Sequence, residues 1–163
     1  MSETLIFKNE SPTVIELQKP WCGWSDLTLT DSKGDSFTGR LSYIDAVPWE
    51  FLRAFEIFLK NGCQTAITFD DEGTEWTIVF DVSFTRIMWE RNSCGAECFF
   101  ISFEEIARTI CNSLLENIDD WVRFSYFDEE DEKEFSKDKK EMENKISCIL
   151  SSLSKSIWVT EDE

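Results

Sequence analysis

Cys94 and Cys98 form a C-x3-C pair, and Asp70-Asp71-Glu72-Gly73-Thr74-Glu75 gathers four carboxylates within six residues. These are the stretches whose residue types and spacing suit a metal. A four-sulfur zinc site needs a second close cysteine pair, and none exists to complete one. An EF-hand calcium loop needs oxygens at alternate positions, a glycine at the sixth and a glutamate at the twelfth, between two helices. Here the glycine comes fourth and strand-like runs flank it, so a solvated turn is the expectation. No metal and no other cofactor is expected.

Histidine is absent from all 163 residues. Its absence removes Ser-His-Asp and Cys-His catalysis and the commonest transition-metal ligand. Carboxylates, lysine, tyrosine and cysteine remain as acids and bases. With 33 acidic residues, however, no single carboxylate pair stands out as a glycosidase pair. The six glycines form neither G-x-G-x-x-G nor a Walker loop, so nothing is present to cradle a phosphate. The chain reads as a non-enzyme.

Charge is the feature left to explain. The formal net charge is −17. Residues 61–120 hold 12 acidic and 3 basic residues, more than half of that excess. An acidic tail would place the excess at one end instead, so the negative potential is expected on the folded body. Such a surface repels nucleic acid and anionic lipid and attracts cationic proteins. The N-terminal Met-Ser-Glu-Thr shows no secretory pattern, and no run approaches the ~20 apolar residues of a membrane span. A cytoplasmic chain with free thiols is therefore expected, with Cys111 and Cys148 as small buried hydrophobes.

The elements that position these residues follow from local patterns. A first strand is expected over 13–18. Pro20 and the loop Trp21-Cys22-Gly23-Trp24 follow, with both tryptophans folded back over the core edge. Residues 26–30 and 37–44 read as a hairpin about Asp31-Ser32-Lys33-Gly34-Asp35. Pro48 opens a helix whose Phe51, Leu52, Phe55, Phe58 and Leu59 share one face, closed by Gly62. A second hairpin joins 65–69 to 75–80. A strand pattern resumes over 82–89, with a bend near 81–83, and the turn 92–95 leads into a strand over 97–101. Ser102 and Glu105 form a capping box for a helix ending near 117–120. Residues 121–127 alternate like a short strand. The acidic run at 128–132 suits the positive end of a last helix over 135–154, and 157–159 suits a terminal strand or docking extension. The order predicts a single α+β domain over 1–163: a twisted, mostly antiparallel sheet built from hairpins, packed with about three helices.

In size, acidity, element order, lack of export signal and lack of catalytic motifs, the chain resembles the small acidic immunity proteins of bacterial polymorphic-toxin and contact-dependent growth-inhibition systems. No motif carries the resemblance, so no residue roles transfer from it. It implies a one-to-one complex with a cognate, basic, nuclease-like toxin domain, blocked sterically and electrostatically, with no nucleic acid or membrane as partner. Clustering alone nominates Asp70, Asp71, Glu72 and Glu75 at the hairpin turn, and Asp119, Asp120, Asp128, Glu129 and Asp131 near the last helix. A DNA mimic or regulatory adaptor is the alternative. A carboxylate- or thiol-dependent enzyme comes third and requires a deep pocket with convergent polar groups.

Overall fold

The computed structural model describes residues 12–91, 93–124 and 131–155. The chain is α+β, as its element order predicts, but its strands form two antiparallel sheets instead of one. The first holds β1 (Val14–Leu17), β2 (Trp24–Thr30) and β3 (Ser36–Ser42) in that order. Helix α1 (Val47–Asn61) leads to the second sheet of β4 (Thr65–Asp70), β5 (Glu75–Phe80), β6 (Thr85–Arg91) and β7 (Ser93–Phe99), again in sequence order. Helices α2 (Phe103–Glu116), α3 (Ile118–Val122) and α4 (Glu132–Lys155) complete the described residues.

Local chemistry explains most of these boundaries. Pro48 sits in the first turn of α1, where its missing N–H removes no bond. Gly62 ends the helix in a left-handed conformation, φ 63°, and its N–H donates to Phe58 O at 2.7 Å. The Ser102 hydroxyl accepts the Glu105 N–H at 3.2 Å, capping α2. The Asp131 carboxylate accepts the Lys133 N–H at 3.1 Å, so this acidic residue serves the start of α4.

Other boundaries differ from expectation. Trp121 and Val122, expected to open a short strand, end the helix α3: Trp121, Val122 and Phe124 are all buried, so the alternating pattern never divided a wet face from a dry one. Residues 125–127 and the segment 157–159 lie outside the described residues. The strand expected over 82–89 starts at Thr85, because residues 81–84 form a tight turn in which Asp81 N–H donates to Phe84 O. Cys94 and Gly95, expected in a turn, belong to β7. Trp21 is 79% exposed, since its backbone pairs with Trp24 at the sheet margin and its ring finds no core to cover. Cys148 is exposed on α4, outside the buried stripe of Met142, Ile146, Ile149 and Leu153. Cys111 is buried as expected, and burial pushes its thiol pKa up to about 12.

The core lies between the inward faces of the two sheets and the helices. Inward residues of the four-stranded sheet form rows across the strands, including Ile67–Ile78–Ile87 and Phe69–Trp76–Trp89. Helix α1 lays Phe51 and Phe55 on Phe69 and Phe80, with ring centroids 5.2 and 5.3 Å apart. Its Phe58 stacks on Phe103 of α2 at 3.8 Å. The Trp76 ring lies against Gly39 of the other sheet, and its Nε1–H donates to Arg40 O at 2.8 Å. A β-carbon at position 39 would meet that ring at 2.5 Å and Phe37 at 2.8 Å. Asp31 is fully buried in the β2–β3 turn. Its carboxylate accepts the N–H groups of Lys33, Asp35 and Phe100, tying this turn to the residue after β7.

Gly39→Ala is expected to lower unfolding stability by roughly 1–3 kcal/mol, because two large rings must shift together. Equilibrium denaturant titration followed by tryptophan fluorescence measures it, and an unchanged midpoint would show that the sheets meet more loosely than this.

Candidate partner-binding face

Two tight turns set the register that builds this face. Asp71 N–H donates to Thr74 O at 2.7 Å, closing the β4–β5 turn, and the Asp81–Phe84 bond closes the next one. At the first turn both central residues have positive φ, 49° at Glu72 and 115° at Gly73. That is the type I′ requirement, which Asn-Gly meets best. Glutamate at its first position carries strain that asparagine would reduce.

The pleat turns the remaining residues outward in three rows. Ala66, Val79, Arg86 and Cys98 form one, Thr68, Thr77, Met88 and Ala96 the next, and Asp70, Glu75, Glu90 and Cys94 the third. All except Val79 are exposed or half-buried. The third row places three carboxylates side by side across three strands. Like charges directly opposite each other in a sheet destabilise it. Thr68, Thr77, Met88, Ala96, Glu75 and Glu90 help line a shallow, open depression of about 560 Å³. Glu75 also borders a second depression of about 280 Å³, where Asp26 and Asp71 lie near Arg40.

The turn adds charge at one end of the row. Asp45, just before α1, accepts the Asp70 N–H at 2.7 Å. Asp70 accepts the Gly73 N–H at 3.2 Å, and Glu72 accepts the Ser42 hydroxyl at 3.4 Å. Burial holds the Asp45 carboxyl above its usual range; the Asp70 N–H opposes this, while the charges of Asp70, Glu50 and Glu75 reinforce it.

The nominated residues therefore divide. Asp70, Asp71, Glu72 and Glu75 come together, and Asp70, Glu72, Glu75 and Glu90 form no ion pair among the described residues. Asp119 and Asp120 lie elsewhere, in ion pairs with Lys139 at 2.9 Å and Lys19 at 3.4 Å. Asp131 is engaged in capping, and Asp128 and Glu129 lie outside the described residues. Sequence clustering missed Asp45 and Glu90. Glu90 follows by counting once both turns are known to hold two residues: turns at 72–73 and 82–83 put Asp70 beside Glu75, and Glu75 beside Glu90.

Among the described residues, no group of three or more His, Cys, Asp or Glu is arranged to hold a metal ion, and all six cysteines are free. No described helix is long and apolar enough to cross a membrane.

Two substitutions test the local physics. A carboxyl whose pKa is raised by folding costs stability once ionised, and the cost is relieved as pH falls through the folded value toward the ordinary 3.8. Asp45→Asn keeps an oxygen for the Asp70 N–H, so it is expected to stabilise the protein at neutral pH and to lose that advantage below the ordinary value. Chemical unfolding at several pH values measures the difference. Glu72→Asn is expected to add about 0.5–1 kcal/mol of stability by easing the positive-φ position; a destabilised variant would contradict the turn geometry.

No protein family, curated protein or solved structure matches this chain.

Proposed function

We propose that this chain is a non-catalytic binding protein whose outward sheet face receives a basic protein, and that the partner is a cognate toxin domain of nuclease-like character, neutralised as an immunity protein would neutralise it. The observation that carries the reading is the row Asp70–Glu75–Glu90, three carboxylates in register without cationic partners among the described residues. Apart from the bond that Asp70 accepts from Gly73 N–H, folding gains nothing from that row, since opposed like charges cost stability. Glu72 compounds the cost by occupying a left-handed turn position. A cationic surface docking on the face would offset the repulsion.

A nuclease presents lysine and arginine to phosphate, and a carboxylate row is a fitting substitute. Long-range attraction also speeds encounter, by roughly 10- to 1,000-fold at low ionic strength. The depression over the row is shallow and open, which suits contact with a protein surface and offers little exclusion of water for catalysis. Asp119 and Asp120, paired with lysines, stand apart from this role.

Affinity capture from the source cells at low salt is expected to retain a basic protein that salt releases. Expressed alone, that protein should arrest growth, and co-expression of this chain should restore it. The double variant Glu75→Lys, Glu90→Lys should abolish capture, while Asp119→Asn with Asp120→Asn should leave it intact. A neutral, salt-insensitive partner rejects the reading. Displacement of DNA from several unrelated binders favours a DNA mimic instead.

A further inference from the structure

The four-stranded sheet ends at β7, and hydrogen-bond parity fixes which backbone groups face away from it. The Asp81–Phe84 bond aligns Arg86, Met88 and Glu90 with β5, so Thr85, Ile87 and Trp89 bond toward β7. Their partners Phe99, Glu97 and Gly95 are satisfied there. Cys94, Ala96 and Cys98 therefore direct N–H and C=O outward. Contacts from the β2–β3 turn agree with this parity: Lys33 Nζ donates to Cys98 O at 3.2 Å, and Phe100 N–H donates to the Asp31 carboxylate at 3.1 Å.

Those two contacts close one end of the edge. At the other end, the outward groups of Cys94 and Ala96 have no hydrogen-bond partner among the described residues. Proteins usually blunt such an edge with lysine, proline or a bulge. Residues 93–96 are instead Ser-Cys-Gly-Ala. The small side chains matter for a second reason. Cys94 is the last member of the Asp70–Glu75–Glu90 row, and Ala96 stands beside Met88 in the next. Strands lie about 4.8 Å apart, so a strand added to β7 sits about 10 Å from Glu90. A lysine or arginine opposite Cys94 spans that gap over the small thiol.

We propose that β7 receives an extended, cationic segment of the partner as a fifth strand of this sheet, pairing across Cys94 and Ala96, with a lysine or arginine opposite Cys94 reaching Glu90. The proposal rests on the reading that the carboxylate face receives a basic protein, and it names the mode of contact. Backbone bonding supplies affinity, and alternate side chains supply selectivity. A second copy of this chain is a poor occupant, because it brings a net charge of −17 to an acidic edge.

The probe is a ten-residue peptide of alternating lysine and threonine, compared with the same peptide methylated at its lysine amide nitrogens. In low salt, the unmethylated peptide should slow amide hydrogen exchange at Cys94 and Ala96, and methylation should abolish both binding and protection. Ala96→Pro removes only an outward N–H and leaves the β6 ladder intact, so the folded variant should lose the effect as well. Glu90→Lys should weaken binding of the unmethylated peptide. If both peptides bind equally and Glu90→Lys weakens both, strand addition is wrong while the acidic docking face stands. If charge reversal at Glu75 and Glu90 changes nothing, the docking face itself fails. No protection at Cys94 and Ala96 with the unmethylated peptide overturns strand addition, and so does protection that grows with protein concentration in the absence of peptide.

Discussion

The seating of Trp76 on Gly39 is the constraint on which the rest of the molecule depends. The two sheets form separate hydrogen-bonded ladders, so side chains must hold one against the other. Trp76 does so three ways: its ring fills the space a β-carbon would take, its Nε1–H satisfies the Arg40 carbonyl, and it touches both Phe37 and Phe69. Phe37 in turn stacks near Trp89, extending the joint to β6. Aromatic rings supply large buried area with defined geometry, which makes them effective at fixing one mutual orientation. The buried Asp31 carboxylate and the Asp45–Asp70 bond add polar ties at either side of this apolar centre.

Once the sheets are fixed, the outer face of β4–β7 is, Val79 apart, free of packing duties. Its three rows can therefore hold residues that folding does not favour. A carboxylate row of this kind is affordable only on a rigid support, where core burial outweighs the repulsion between neighbours. Some carboxylates elsewhere are matched instead, with lysines and arginines beside Asp119, Asp120, Glu56 and Glu104. Composition alone says nothing of which carboxylates sit beside a cation and which share a row with one another.

The helices were legible because their signals are short-range. Pro48 and Gly62 bracket α1, and Ser102 and Glu105 mark the start of α2, within spans of a few residues. The turn residues around Gly34 and Gly73 are equally local. The short helix α3 was not legible, because Trp121, Val122 and Phe124 are all buried and no period survives. Nor was the exposure of Trp21, which depends on where the sheet margin ends.

By itself, the sequence determined the α+β class, the hairpins, the main helices, the absence of histidine chemistry and the net negative charge, because each follows from residue type or near-neighbour spacing. Tertiary structure decided the split into two sheets and the company that Glu75 keeps. A shift of one residue in either tight turn would send Glu90 to the opposite face, so the carboxylate row exists only through register, and register is settled by the packing of one pleated face against a core.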